Sequence, residues 1–152
     1  MSDNWIILIP ESAGLVPPED KQKLALEKLR ELTPNADEVE IENTDKIRFE
    51  HAGSNFEKIS CPACKQEIEM SWWQDKMDED FGRDEDFMLM PIKLPCCSAV
   101  KTLHELQYDF QQGFARFSLS SMNPNIGEMP KEFVDALESI LCCRLRVIYC
   151  HI

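Results

Sequence analysis

Residues 5–9 read WIILI, five apolar side chains in a row closed by Pro10. A strand points alternate side chains to opposite faces, so a run with no polar residue suits a strand buried on both faces. Working outward, residues 18–32 (PEDKQKLALEKLREL) read as a helix. Pro18 fits the first helical position, and Glu19 and Asp20 suit the positive end of the dipole. Ala25, Leu29 and Leu32 share one face, which Leu24 and Leu26 widen, and Pro34 ends the helix at Thr33. EVEIE at 38–42 alternates Val39 and Ile41 with three glutamates, as a half-exposed strand does, and KIRF at 46–49 extends or pairs with it.

The last third repeats this order. FARFSLS (114–120) alternates Ala115, Phe117 and Leu119 against Phe114, Arg116 and Ser118. The loop NPNIGEMP (123–130) carries Asn, Gly and Pro turn signals. A helix from about Pro130 to Cys142 presents Phe133, Leu137, Ile140 and Leu141 on one face, and LRVIYCHI ends the chain in β-forming residues. β-α-β, an interruption, and β-α-β again predict an α+β fold of the ferredoxin-like split βαβ type. The expected division is a first βαβ half at 1–53, an insert at 54–108 and a second βαβ half at 109–152. In that arrangement the WIILI strand and the third strand are central, and two helices cover one face. Trp5, Ile7 and Ile9 then point to the other face, which needs a cover of its own: the insert, or a second copy of the chain in a homodimer through the open sheet face.

The insert carries CPAC at 61–64 and PCC at 95–97, with residues 65–95 between the two cysteine pairs. Strand-like residues flank both: FEKIS and KQEIEM around the first, FMLMPIKL before the second. That is the pattern of a zinc ribbon. Zn²⁺ takes four tetrahedral ligands, thiolates are favoured in structural sites, and a two-residue gap lets both sulfurs of one turn reach one ion. A small insert with little core gains folding energy from such a clip. The expected ligands are Cys61, Cys64, Cys96 and Cys97 around one Zn²⁺. Cys96 and Cys97 are adjacent rather than spaced by two, so His104 is the alternative fourth ligand to Cys96, with His51 more remote. Competing readings are a redox pair at CPAC, which would open a helix, a vicinal disulfide at 96–97, and plain buried thiols. Cys142, Cys143 and Cys150 have no complementary spacing and read as core thiols.

Between the pairs, SWWQDKMDEDF (71–81) predicts a short helix with a Ser71–Gln74 capping box and a stripe of Trp73, Met77 and Phe81. DEDFGRDED (78–86) reads as an acidic solvated loop without Ca²⁺-loop spacing. Thr102 and Glu105 make a second capping box.

With 152 residues and 43% hydrophobic content the chain can bury a real core, and 29% charged residues with five Gly exclude a disordered or fibrous class. The net charge of −12 argues against nucleic acid or an anionic membrane and suits a basic protein partner, although solubility alone also accounts for it. The start, MSDNWIILIPES, has no basic n-region, and no stretch is long enough for a membrane span, so the expected location is cytoplasmic. Seven cysteines in a reducing compartment then point to metal rather than to disulfides.

ILIPE (7–11), NFEKISCPAC (55–64), LPCC (94–97), LHEL (103–106), GFARFSL (113–119) and LRVIYCHI (145–152) resemble a group of small bacterial proteins with CPxC and LPCC segments. The resemblance spans nearly the whole chain. It implies a bacterial cytosolic protein with a bound metal and brings no activity with it. Zinc knuckles often carry Gly after the second Cys, where this chain has Lys65 and Ser98, so those turns must take φ > 0 without Gly or adopt another shape.

Three functions compete. Four cysteine ligands leave no position for water, which favours a non-catalytic interaction module, an adaptor or immunity-like neutraliser, with no catalytic residues. A metal-dependent hydrolase would need an open Cys/His site with Glu67 or Glu105 as base. A weak nucleic-acid-binding zinc ribbon would use Phe114, Phe117 and Tyr149 to stack on bases, against the charge balance.

Overall fold

The computed structural model describes residues 2–82 and 85–152. In chain order its elements are β1 (Asn4–Pro10), α1 (Glu19–Leu32), β2 (Glu38–Glu50), β3 (Ile59–Ser60), β4 (Glu67–Ile68), α2 (Met70–Phe81), β5 (Ile92–Lys93), β6 (Val100–Lys101), β7 (Gln107–Tyr108), β8 (Gly113–Met122), α3 (Lys131–Leu141) and β9 (Leu145–His151), with a 3₁₀ turn at Leu103–Glu105. The chain is thus α+β. The four longest strands form one antiparallel sheet in the order β2-β8-β1-β9. The WIILI run lies in β1 at the sheet's interior, where Trp5 faces Met122 on one neighbour and Cys150 on the other. EVEIE and KIRF join into the single strand β2, whose register against β8 shifts between Asn43 and Arg48.

α1 and α3 cover one face. Ala25 and Leu29, with Leu137 and Leu141, bury Ile6, Leu8, Phe117 and Leu119. α1 turns slightly from its predicted orientation: Gln22 is buried and Leu24 is 51% exposed. Gln22 can go inside because its amide donates to Pro17 O at 2.8 Å while its Oε1 accepts from Asn43 at 2.8 Å, so burial leaves it satisfied. Alternation along β8 also departs from the expected two faces: Phe117 and Leu119 join the helix-side core, whereas Ala115 clusters with Ile9.

The second face is covered only in part. Ile9, Ala52, Ala115 and Ile148 are fully buried together, with Phe56 laid against them. Trp5 and Ile7 stay half-buried. A separate core fills the segment between β2 and β8, where β4-β3-β7 form one small sheet and β5-β6 another. Ile59, Trp73, Leu94, Leu103 and Tyr108 gather there with Phe114 of β8, and Phe49 of β2 packs at the margin. This core therefore draws residues from the long strands on both sides of 54–108. Trp73 is edge-on to Phe56 and Tyr108 at 5.3 and 6.1 Å, and its indole N–H donates to Tyr108 Oη, which donates to Leu103 O at 2.7 Å.

The helix of the aromatic stripe starts earlier than predicted. α2 begins at Met70 with Glu69 as N-cap and no side-chain cap bond, so the Ser71–Gln74 box does not form. Burial of Trp73 against Tyr108 sets its position instead. The Thr102–Glu105 box does form, with Thr102 N–H donating to Glu105 Oε1 at 2.9 Å. Of the predicted acidic loop 78–86, residues 78–81 belong to α2, and Arg83 and Asp84 lie outside the described residues. Two of its carboxylates are structural: Asp80 accepts from Leu89 and Met90 N–H, and Asp86 from Ile47 N–H. Among the described residues no helix is long and apolar enough to cross a membrane.

Candidate metal centre

CPACKQ forms the tip between β3 and β4. Cys61 N–H donates to Gln66 O at 2.8 Å and Lys65 N–H to Cys61 O at 3.0 Å, closing the loop. Inside it, the Ala63 and Cys64 N–H groups both point at Cys61 Sγ, at 3.3 and 3.4 Å. Lys65 takes φ +67 to allow this turn. β5 and β6 carry a matching tip, LPCCSA. Leu94 N–H donates to Ala99 O at 2.9 Å, Ser98 takes φ +64, and Ala99 N–H bonds the Cys97 sulfur. The turns are thus knuckles built with Lys and Ser at the left-handed position that Gly often holds.

Laid over each other, the two tips explain the adjacent cysteines. Cys64 corresponds to Cys97, Lys65 to Ser98 and Gln66 to Ala99, so the position of Cys61 is taken in the second tip by Leu94. Leu94 is 2% exposed and packs in the insert core. The second tip's other thiol stands two residues on, at Cys96. Alignment of CPAC with LPCC carries this signal in the sequence itself; the core role of Leu94 is what sequence reasoning missed.

The sulfurs of Cys61, Cys64, Cys96 and Cys97 all lie within 4.8 Å of one another, with Cys61 and Cys97 3.6 Å apart. Tetrahedral bonds of ~2.3 Å from a central ion would place sulfurs roughly 3.8 Å apart, so the spacing fits a shared metal. The charges argue the same way. The Cys64 N–H above all, with that of Ala63, holds the Cys61 thiol down at about 6. Loss of hydration, then the neighbouring thiols of Cys64, Cys61 and Cys97, push Cys96 up to about 12. A metal ion would take the place of the protons that the raised Cys96 and Cys97 thiols keep, and an all-sulfur set suits a soft or borderline ion. Four cysteines so placed could hold a metal ion.

His104 is not in this group. Its Nδ1 accepts from Phe114 N–H at 3.0 Å, so its Nε2 carries the proton and donates to Glu11 O at 2.6 Å. Burial first, then the Arg146 guanidinium, hold the imidazole below its ordinary pKa, so it stays neutral. His51 sits at the far end of the sheet beside Cys150, its Nδ1 accepting from Gly53 N–H. Glu105 is occupied by its cap bond, and Glu67 is exposed on β4. Of the remaining cysteines, Cys150 is buried and Cys143 packs against the helix-side core. Cys142, expected inside, is exposed at the C-cap of α3, where it takes a left-handed conformation. Comparison with family models, curated proteins and solved structures finds no match for this chain.

Proposed function

We propose that the chain is a zinc-stabilised, non-catalytic protein-interaction module of the bacterial cytoplasm, of the adaptor or immunity-like kind. The convergence of four cysteine sulfurs carries the reading. Zn²⁺ bound by Cys61, Cys64, Cys96 and Cys97 has a closed coordination sphere, supplies folding energy, and offers no position to substrate or water. The sheet order β2-β8-β1-β9, with helices on one face, supports a ferredoxin-like frame that carries 54–108 as a zinc-ribbon-like insert. The hydrolase alternative is weakened by His104, whose two ring nitrogens are both engaged away from the sulfurs. A nucleic-acid surface is weakened by the burial of Phe114 and Phe117 and by the net charge of −12. That charge instead suits a basic partner protein.

The test is metal analysis of the purified chain and its Co²⁺-substituted form. One ion per chain, with the intense d–d bands of tetrahedral sulfur ligation lost in Cys61→Ser and in Cys97→Ser, is the expected result. Less than one ion, or a spectrum showing bound water, overturns the closed-site reading.

A further inference from the structure

We propose that the uncovered end of the sheet's second face is the docking site for a lysine or arginine side chain of a basic partner protein. The inference rests on the interaction-module reading and locates its contact.

The face changes character along β1. At the Ile9 end it is sealed by Ala52, Ala115, Ile148 and Phe56. At the other end Trp5 and Ile7 form the floor of a cavity of about 240 Å³ whose walls include Ser120, Glu40, Glu42 and Glu50. That is smaller than a site for a drug-sized ligand and suits one long side chain. The walls are acidic for a reason visible in the register: Glu40 and Glu42 of the edge strand β2 lie opposite Ser120 and Ser118 of β8, and Ser120 lies opposite Ile7 of β1. Carboxylates on an edge strand thus flank an apolar floor.

The local charge is unbalanced. Arg48 pairs with Glu50 and, at 3.4 Å, with Glu42. Among the described residues no cation pairs with Glu40. Burial pushes Glu50 above its ordinary pKa even with Arg48 beside it, so a further cation here relieves a real cost. A lysine or arginine brings both things the cavity needs: an apolar stem to lie along Ile7 and the Trp5 ring, and a charged head for the glutamates.

The same features speak against the other occupants. A second copy would set two acidic rims face to face across a two-fold axis, each chain carrying −12. Catalysis by Cys150, 3.9 Å from His51 Nδ1, is opposed by burial and then Glu50, which hold the thiol protonated.

The experiment uses the ¹⁵N-labelled, metal-loaded full chain, titrated at low salt with hexalysine and, as a control, hexaglutamate. Hexalysine is expected to shift the Trp5 indole N–H and the amides of Ile7, Ser118, Ser120 and Cys150. The Glu40→Gln/Glu42→Gln double variant, whose carboxylates are exposed, is expected to keep its metal and melting temperature and to bind about tenfold more weakly. Should that variant not fold, the wild-type shift map decides alone. Shifts centred on another surface overturn this site and leave the interaction-module reading standing. Absence of any binding overturns both. A stable dimer in sedimentation that shields Trp5 gives the face to a second copy and overturns the proposal.

Discussion

On the helix-covered side of the sheet, Leu8, Leu29, Phe117, Leu119 and Leu137 are fully buried between strands of 7 to 13 residues and helices of 11 and 14. In the insert, β3 to β7 have two residues each. Strands that short form too few ladder bonds to persist alone. The insert relies on other devices. Aromatic rings meet around Trp73, and Phe114 ties them to β8. Arg146 of β9 donates to His104 O and Gln112 O at 3.1 and 2.7 Å while forking onto Glu11. Although burial alone would raise Glu11, that fork holds its carboxyl below the ordinary range. The cysteine clasp joins the two knuckles. Both regions bury apolar volume, but the segment with two-residue strands adds directed contacts and the four cysteines to its cluster, and the two should fail differently.

Metal removal should separate them most. Structural zinc contributes on the order of 10 kcal/mol in small zinc folds, and on the proposed reading that energy would belong to the segment between β2 and β8. With a strong chelator at neutral pH, the amides of Ile59, Ile68 and Tyr108 are expected to lose hydrogen-exchange protection while those of Leu8 and Leu119 keep theirs. Simultaneous collapse of both sets would mean that the molecule has one cooperative unit rather than two.

Phe117→Ala attacks the opposite region. Emptying a fully buried aromatic site costs about 3–5 kcal/mol. Urea unfolding of the metal-loaded protein should show that loss in the sheet, with the Co²⁺ spectrum unchanged below the transition. Tyr108→Phe is a smaller, directed injury to the insert. It strands the Trp73 indole N–H and Leu103 O, with an expected cost of about 1–3 kcal/mol. Loss of protection confined to 59–108 is the signature; a uniform loss would place Tyr108 in the global unit.

Much of the sheet region is legible in the sequence because its rule is periodic. WIILI has no polar member and lies inside the sheet; Ala25 and Leu29 mark the buried face of α1. Gln22 escapes that rule, since the pattern of apolar residues cannot show that Asn43 waits to satisfy it. In the insert the ligand types are legible, because CPAC and LPCC name the chemistry that four sulfurs share. The local geometry is less so. Asp80 and Asp86 look like solvated charge until the backbone N–H groups they accept from are brought round by the fold. The start of α2 looks like a cap at Ser71, yet Trp73 burial decides it. Directed contacts across long sequence separations leave little periodic trace.

The knuckles allow the finest test of the contrast, since each carries a left-handed residue other than glycine directly after a cysteine of the cluster. Lys65 at φ +67 and Ser98 at φ +64 hold left-handed conformations that cost an L-residue roughly 1–2 kcal/mol, part of which glycine recovers before its greater unfolded-state entropy is counted. Ser98→Gly is therefore expected to stabilise the insert by about 0.5–1 kcal/mol, which is a two- to fivefold gain in apparent metal affinity in competition with a chromophoric chelator. Lys65→Gly should gain less, because its Nζ donates to Pro62 O at 3.0 Å across the first tip. Sheet stability, read by protection at Leu8 and Leu119, should not move in either variant. Weaker metal binding in Ser98→Gly would mean that the second tip does not need its left-handed turn, and its correspondence with the first would be lost.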